Sequence, residues 1–316
     1  MKAMMRPFVG VLLPALLLLG VATGCSGGGM SEQGNSSNGE HVLVDFADRK
    51  ITLNKTPERI VALGNGEVDI IYALGGSVVG RPKDNAGLQM EAVKGVPVVG
   101  SVHTVDLEKI AVVNPDVVLG NSPINANDIP QLNGLGAKVV LTHANSIEDI
   151  RRQIALFGKL LGKEAKAAEL TAKLDNGIGE VKAETSTNKR VLLVYGAPGT
   201  YLAALPNSLA GNVLETAGGI NVAGQFPSMQ NFPQYAQLNT ERVVEADPDV
   251  ILIMTHGDSE DVEKGFIKEM EGNPSWHSIT AVRDGRIHVL PADLFGTNPG
   301  TRVVDAVKWI KERLAL

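Results

Sequence analysis

The sequence predicts an α/β protein of two lobes, each built on a parallel sheet, joined by a long helical span. Three observations lead there. The order strand, helix, glycine stop, strand, helix, Pro-Asp, strand occurs twice along the chain. The strand segments are short β-branched runs that alternate with helical segments, as in parallel sheets covered by helices. Between the two copies runs a stretch of helical periodicity long enough to link two domains.

In chain order, the first segment is a leader. Lys2 and Arg6 precede an apolar run from Phe8 to Leu19, and small residues lead to Ala22-Thr23-Gly24-Cys25. This reads as a signal peptide over 1–24, too short to be a stable membrane span. Small residues before a Cys resemble the lipobox of bacterial lipoproteins, with Ala22 where Leu is usual. That resemblance implies acylation of Cys25, the one Cys in the chain, and anchorage on the extracytoplasmic face of the cell membrane. One thiol leaves no disulfide to form. Residues 25–40 have almost no apolar content and read as a flexible tether.

The N-terminal lobe is expected over 41–145. Arg59-Ile60-Val61-Ala62-Leu63 begins a strand, and the following helix ends at Leu74-Gly75-Gly76. Leu107-Glu108-Lys109 then opens a short helix that Asn114-Pro115-Asp116 breaks before the strand Val117-Val118-Leu119. The joining helix is expected over 146–185. Ser146 caps it, Glu148 and Asp149 sit in its first turn, and Ile150, Ile154, Phe157, Leu160 and Leu161 follow helical spacing. The pattern resumes after Gly162 through Leu170, Leu174 and Val181.

The C-terminal lobe is expected over 186–316. Arg190 to Tyr195 repeats the first strand, and Ala217-Gly218-Gly219 the glycine stop. Thr240-Glu241-Arg242 to Asp247-Pro248-Asp249-Val250-Ile251-Leu252 repeats the helix, break and strand. Each lobe is thereby Rossmann-like.

A net charge of −6 argues against nucleic acid as a partner. Catalysis finds little support: there is no nucleophile elbow, Walker loop or H-E-x-x-H, and Gly64-Asn65-Gly66 lacks the third glycine of a dinucleotide turn. The protein is expected not to be an enzyme. Ligands of parallel-sheet proteins sit beyond the strands' carboxyl ends. His103 follows the strand ending at Gly100-Ser101, and His256 follows Val250 to Thr255, so one imidazole stands at such a place in each lobe. Two neutral imidazoles on opposite sides complete six-coordination about a porphyrin iron. His143, at another strand end, is the substitute ligand in the N-terminal lobe.

The two Glu-cation…Pro-Asp copies, the joining helix and the lipobox together resemble the helical-backbone class of ABC-transporter substrate-binding proteins, from His41 to Leu316. That class receives ferric siderophores, heme or cobalamin for an ABC permease. The resemblance implies that Glu108 and Glu241 dock against basic residues of the permease, the chain itself being a monomer. Val99-Gly100-Ser101-Val102-His103 with Asp106-Leu107-Glu108, and Met254-Thr255-His256-Gly257, are similar to the two iron-ligating motifs of Gram-positive heme-receptor lipoproteins. The first carries His where Met is usual. Heme in the interlobe cleft, ligated by His256 and His103, is therefore the leading expectation, with a ferric siderophore or cobalamin as alternatives. Tyr201, Arg81 and Arg302 are further candidates for the cleft, the arginines as partners of propionates or siderophore anions. Phe226, Met229 and Phe232 either cover an apolar porphyrin face or form local loop core.

Overall fold

The computed structural model describes residues 41–83, 90–101, 103–183, 187–197, 199–255 and 259–315. The leader, Cys25, the tether and His256 lie outside the described residues.

The N-terminal lobe opens with an antiparallel hairpin, β1 (His41–Val44) and β2 (Lys50–Leu53). Next come β3 (Ile60–Ala62), α1 (Asn65–Ala73), α2 (Leu107–Val113), β4 (Val117–Asn121), α3 (Ile129–Gly134) and β5 (Lys138–Thr142). Strands β3, β4 and β5 lie side by side in that order, all parallel. Parallel bridges from Val61 to Gly80 and from Arg81 to Val98 extend the sheet past β3. Val117, Val118 and Leu119 are wholly buried, as apolar strands covered on both faces must be.

The joining span is helical as expected, but it is two helices, α4 (Ile147–Leu161) and α5 (Glu164–Ala183). Ser146 caps α4 by accepting the Asp149 N–H. Gly162 ends it in the left-handed region at φ 62°, while Lys163 N–H returns to the Gly158 carbonyl at 2.7 Å. The Cβ that Gly158 lacks would collide with Ala167 of α5, so the two helices pack against each other. The single stiff helix is thereby replaced by a packed pair.

In the C-terminal lobe, β6 (Arg190–Ala197), β7 (Thr200–Ala204), α6 (Leu209–Thr216), β8 (Ile220–Asn221), β9 (Tyr235–Gln237) and α7 (Thr240–Ala246) follow. Then come β10 (Val250–Thr255), α8 (Ser259–Glu271), α9 (Thr280–Arg283), β11 (Ile287–Val289), α10 (Ala292–Phe295) and α11 (Val303–Leu314). The sheet order is β11-β10-β6-β7-β9, with β8 also on β6. Strands β11, β10, β6 and β8 are parallel, as the repeat requires. The sheet is mixed, however, because β7 returns antiparallel along β6 from a turn at Gly199, φ 74°. A residue without Cβ allows that tight reversal.

The internal repeat is visible as repeated bonds. Arg59 N–H and Asp116 N–H exchange bonds with the other residue's carboxylate or carbonyl, and Arg190 and Asp249 do the same. Asn114 (φ 42°) and Asp247 (φ 36°), each just before Pro-Asp, both close their helices left-handed. One apolar cluster runs from Val68 and Ile71 through Ile154, Phe157 and Leu174 to Leu193, Leu252 and Ile310, so both lobes share core with the joining helices. No helix among the described residues is long and apolar enough to cross a membrane.

Candidate functional site

The carboxyl ends of β3, β4 and β5 form one edge of the N-terminal lobe. His103 stands on the loop that leads from this sheet to α2. Gly100, at φ 120°, turns the chain where a Cβ would collide with the Thr104 carbonyl. Ser101 Oγ then accepts the N–H groups of His103 and Thr104, both at 3.2 Å, and Ser101 N–H donates to Thr104 O at 2.8 Å. Asp106 N–H returns to Val99 O at 3.1 Å. The loop is thus pinned at its base and along its turn, and it presents an exposed His103 at its tip.

From the C-terminal lobe, β10 ends at the buried Thr255, immediately before His256. His143, next to the end of β5, is tied into its own lobe: Nε2 lies 3.7 Å from Asp149 Oδ1, and the ring meets Phe46 edge-on at 5.1 Å. Arg152 covers the same Phe46 ring at 4.1 Å.

The other candidates are engaged locally. Arg81 donates to the carbonyls of Val93 (3.1 Å) and Pro82 (3.2 Å). Arg302 donates to the Asp293 carbonyl at 2.7 Å and its carboxylate at 3.2 Å, bracing α10 against the start of α11. Tyr201 lies on β7 under α8, its hydroxyl donating to Val262 O at 3.3 Å and its ring 5.1 Å from Phe266. Burial, with Glu269 nearby, pushes that phenol up, which favours the protonated form over a phenolate donor. Phe226 is buried in the core beside Leu205 and Ala223, whereas Phe232 is exposed.

Glu108 and Glu241 occupy the first turns of α2 and α7 and are both exposed. Asp106 and Asn239 cap the two helices by accepting the Lys109 and Arg242 N–H groups, so the glutamates are presented in equivalent settings, one per lobe.

One constellation beneath this edge was not legible in the sequence. Glu67, Thr142 and Gln153 are buried together, with Thr142 Oγ1 donating to Glu67 Oε1 at 3.1 Å and Gln153 Nε2 to Thr142 Oγ1 at 2.9 Å. Burial pushes the Glu67 carboxyl up from its ordinary 4.5, against the opposing pull of its own N–H and Thr142. Asp69, also on α1, is pushed up by burial despite the bonds from Thr301.

The family model described as periplasmic binding protein matches residues 60–294. The chain is 30% identical over 234 residues to the high-affinity heme uptake system protein IsdE of Staphylococcus aureus (strain MRSA252), covering 73% of this chain and 77% of that one. The solved structure of S. aureus IsdE complexed with heme superposes with a TM-score of 0.72 at 27% identity, over 82% of this chain and 99% of that one. An ABC transporter substrate-binding protein from Listeria monocytogenes EGD-e gives a TM-score of 0.70 at 28% identity, over 82% and 98%. The siderophore binding protein BauB shares the fold, with a TM-score of 0.69 at 20% identity, over 87% and 99%.

Proposed function

Since the chain belongs to the periplasmic binding protein family, we propose that it captures heme between its two lobes and delivers it to an ABC permease. The observation that carries this reading is the pinned loop that holds His103 exposed at the sheet edge, in a chain 30% identical to a heme uptake protein.

In this reading His103 and His256 ligate the heme iron from opposite lobes. The Ser101 bonds hold the His103 loop in place before ligand arrives, so less ordering accompanies binding. Neutral imidazoles are good ligands for iron, and a His in place of Met lowers the iron's reduction potential. Cys25 anchors the protein to the membrane through lipid, and Glu108 and Glu241 meet basic residues of the permease. The ligand is cargo, and the protein performs no chemistry on it.

Absorption spectroscopy with added hemin tests the cargo. A low-spin Soret band should form, be lost or shifted in His256→Ala, and change ligation state in His103→Ala. In His103→Met the reduction potential should rise. A protein that leaves the hemin spectrum unchanged but binds a ferric siderophore or cobalamin belongs to the other branch of the same class.

A further inference from the structure

The connection from α10 to α11 leaves the C-terminal lobe and lies against α1 of the N-terminal lobe. Phe295 and Trp309, ring centroids 6.2 Å apart, tie α10 to α11, and α11 packs on α5 and α6. Between the two helices the chain makes a turn that bonds to the joining helix α4 and to α1 of the N-terminal lobe. Asn298 Nδ2 donates to Gln153 Oε1 at 2.9 Å, and Asn298 Oδ1 accepts the Gly300 N–H at 2.9 Å. Gln153, wholly buried on α4, passes the chain of bonds to Thr142 at 2.9 Å and Glu67 at 3.4 Å. Thr301 then gives Asp69 Oδ2 both its N–H (2.6 Å) and its hydroxyl (2.7 Å).

Two glycines make this approach possible. A Cβ on Gly66 would collide with the Asn298 side chain, and one on Gly300, at φ 61°, with the Asp69 carboxylate. The contact is thus shaped on both sides.

We propose that the Asn298–Thr301 turn is a latch that holds the two lobes at a fixed separation, with Gln153 and Asp69 as its catches. The lobes are joined covalently through α4 and α5 and share apolar core with them, so motion of one lobe against the other turns about that joint. A tie at α1, distant in sequence from the joint, restrains such turning. Opening it strips a partner from the buried Gln153 and two donors from the half-buried Asp69, and such groups resist being left unpaired. The width of the cleft is therefore governed by four side chains that ligand does not need to touch.

Interlobe distance measurement tests this without ligand and independently of its identity. In the full chain carrying Cys25→Ser, spin labels are placed at Val112→Cys on α2 and Glu245→Cys on α7, both exposed. The distance distribution should widen and shift outward in Asn298→Ala/Thr301→Val, while Thr301→Ser, which keeps the hydroxyl, should retain the parent distribution. An unshifted distribution in the folded double variant overturns the latch. If the double variant loses its cooperative melt, Asn298→Ala and Thr301→Val are read singly, and unshifted distributions in both overturn it equally.

Discussion

The Arg59 backbone N–H donates to the Asp116 carboxylate at 3.0 Å, closing the turn before β3 onto the start of β4. The same oxygen accepts the Glu58 N–H at 2.8 Å. In the second lobe Asp249 accepts from Arg190 N–H at 2.8 Å. Among the described residues, Asp116 therefore satisfies two backbone donors and Asp249 one. Asp116→Ala should lower stability by about 1–3 kcal/mol and Asp249→Ala by about 1 kcal/mol. Urea unfolding checks both, and equal losses near zero would contradict the repeat's structural role.

These bonds also show what sequence makes legible. Pro-Asp after a short helix and before a β-branched run is local punctuation, and it predicted both lobes. Ser146 and Gly162 are local too, yet apolar spacing that resumes after Gly162 concealed the reversal of the chain there. The β6–β7 hairpin was signalled by Pro198-Gly199 but was masked by the stronger strand-helix rhythm of the repeat. The contact between Asn298 and Gln153 left no signal, since the two meet across 145 positions. Arg81 and Arg302 carry the right charge for an anionic ligand, but backbone carbonyls and Asp293 engage them. Charge is legible in sequence; the local acceptor that engages it is not.

The Glu67 carboxyl gives a pH dependence with a definite sign. Burial raises its folded pKa above the ordinary 4.5, so the folded state holds the proton more tightly than the unfolded chain. Its stabilising contribution is fully present below about 4.5 and is lost as pH rises through the elevated folded value. Glu67→Gln keeps an acceptor for Thr142 without the titration. Its melting temperature should match the parent in acid and exceed it increasingly as pH rises. Asp69, raised in the same way, leaves a residual slope in the variant. Parallel melting curves for parent and variant would show that the carboxyl at position 67 titrates as an exposed one does.

Gly162 tests the reversal between α4 and α5. Its φ of 62° lies where a Cβ crowds the following carbonyl. Gly162→Ala should lower stability by about 1–2 kcal/mol, with Gly162→Asn losing less because Asn tolerates that region better. Denaturant titration reads both. An alanine variant as stable as the parent would mean that α4 runs on into α5 without the left-handed cap.

The paired glutamates carry the last expectation. Glu108 and Glu241 are exposed, sit in the first turns of equivalent helices, and belong to different lobes, so neither is committed to holding the fold. Charges at the rim of an interface act mainly through encounter rate and salt dependence. Glu108→Ala/Glu241→Ala should therefore bind ligand as the parent does, while transport in a reconstituted or cellular assay falls by about tenfold or more at low ionic strength. Each single variant should lose less than the pair, because one lobe still meets its basic partner. Raising the salt concentration should shrink the gap between parent and double variant, since screening removes the same attraction from the parent. Undiminished transport by the double variant would refute docking through these two residues while leaving the ligand assignment untouched.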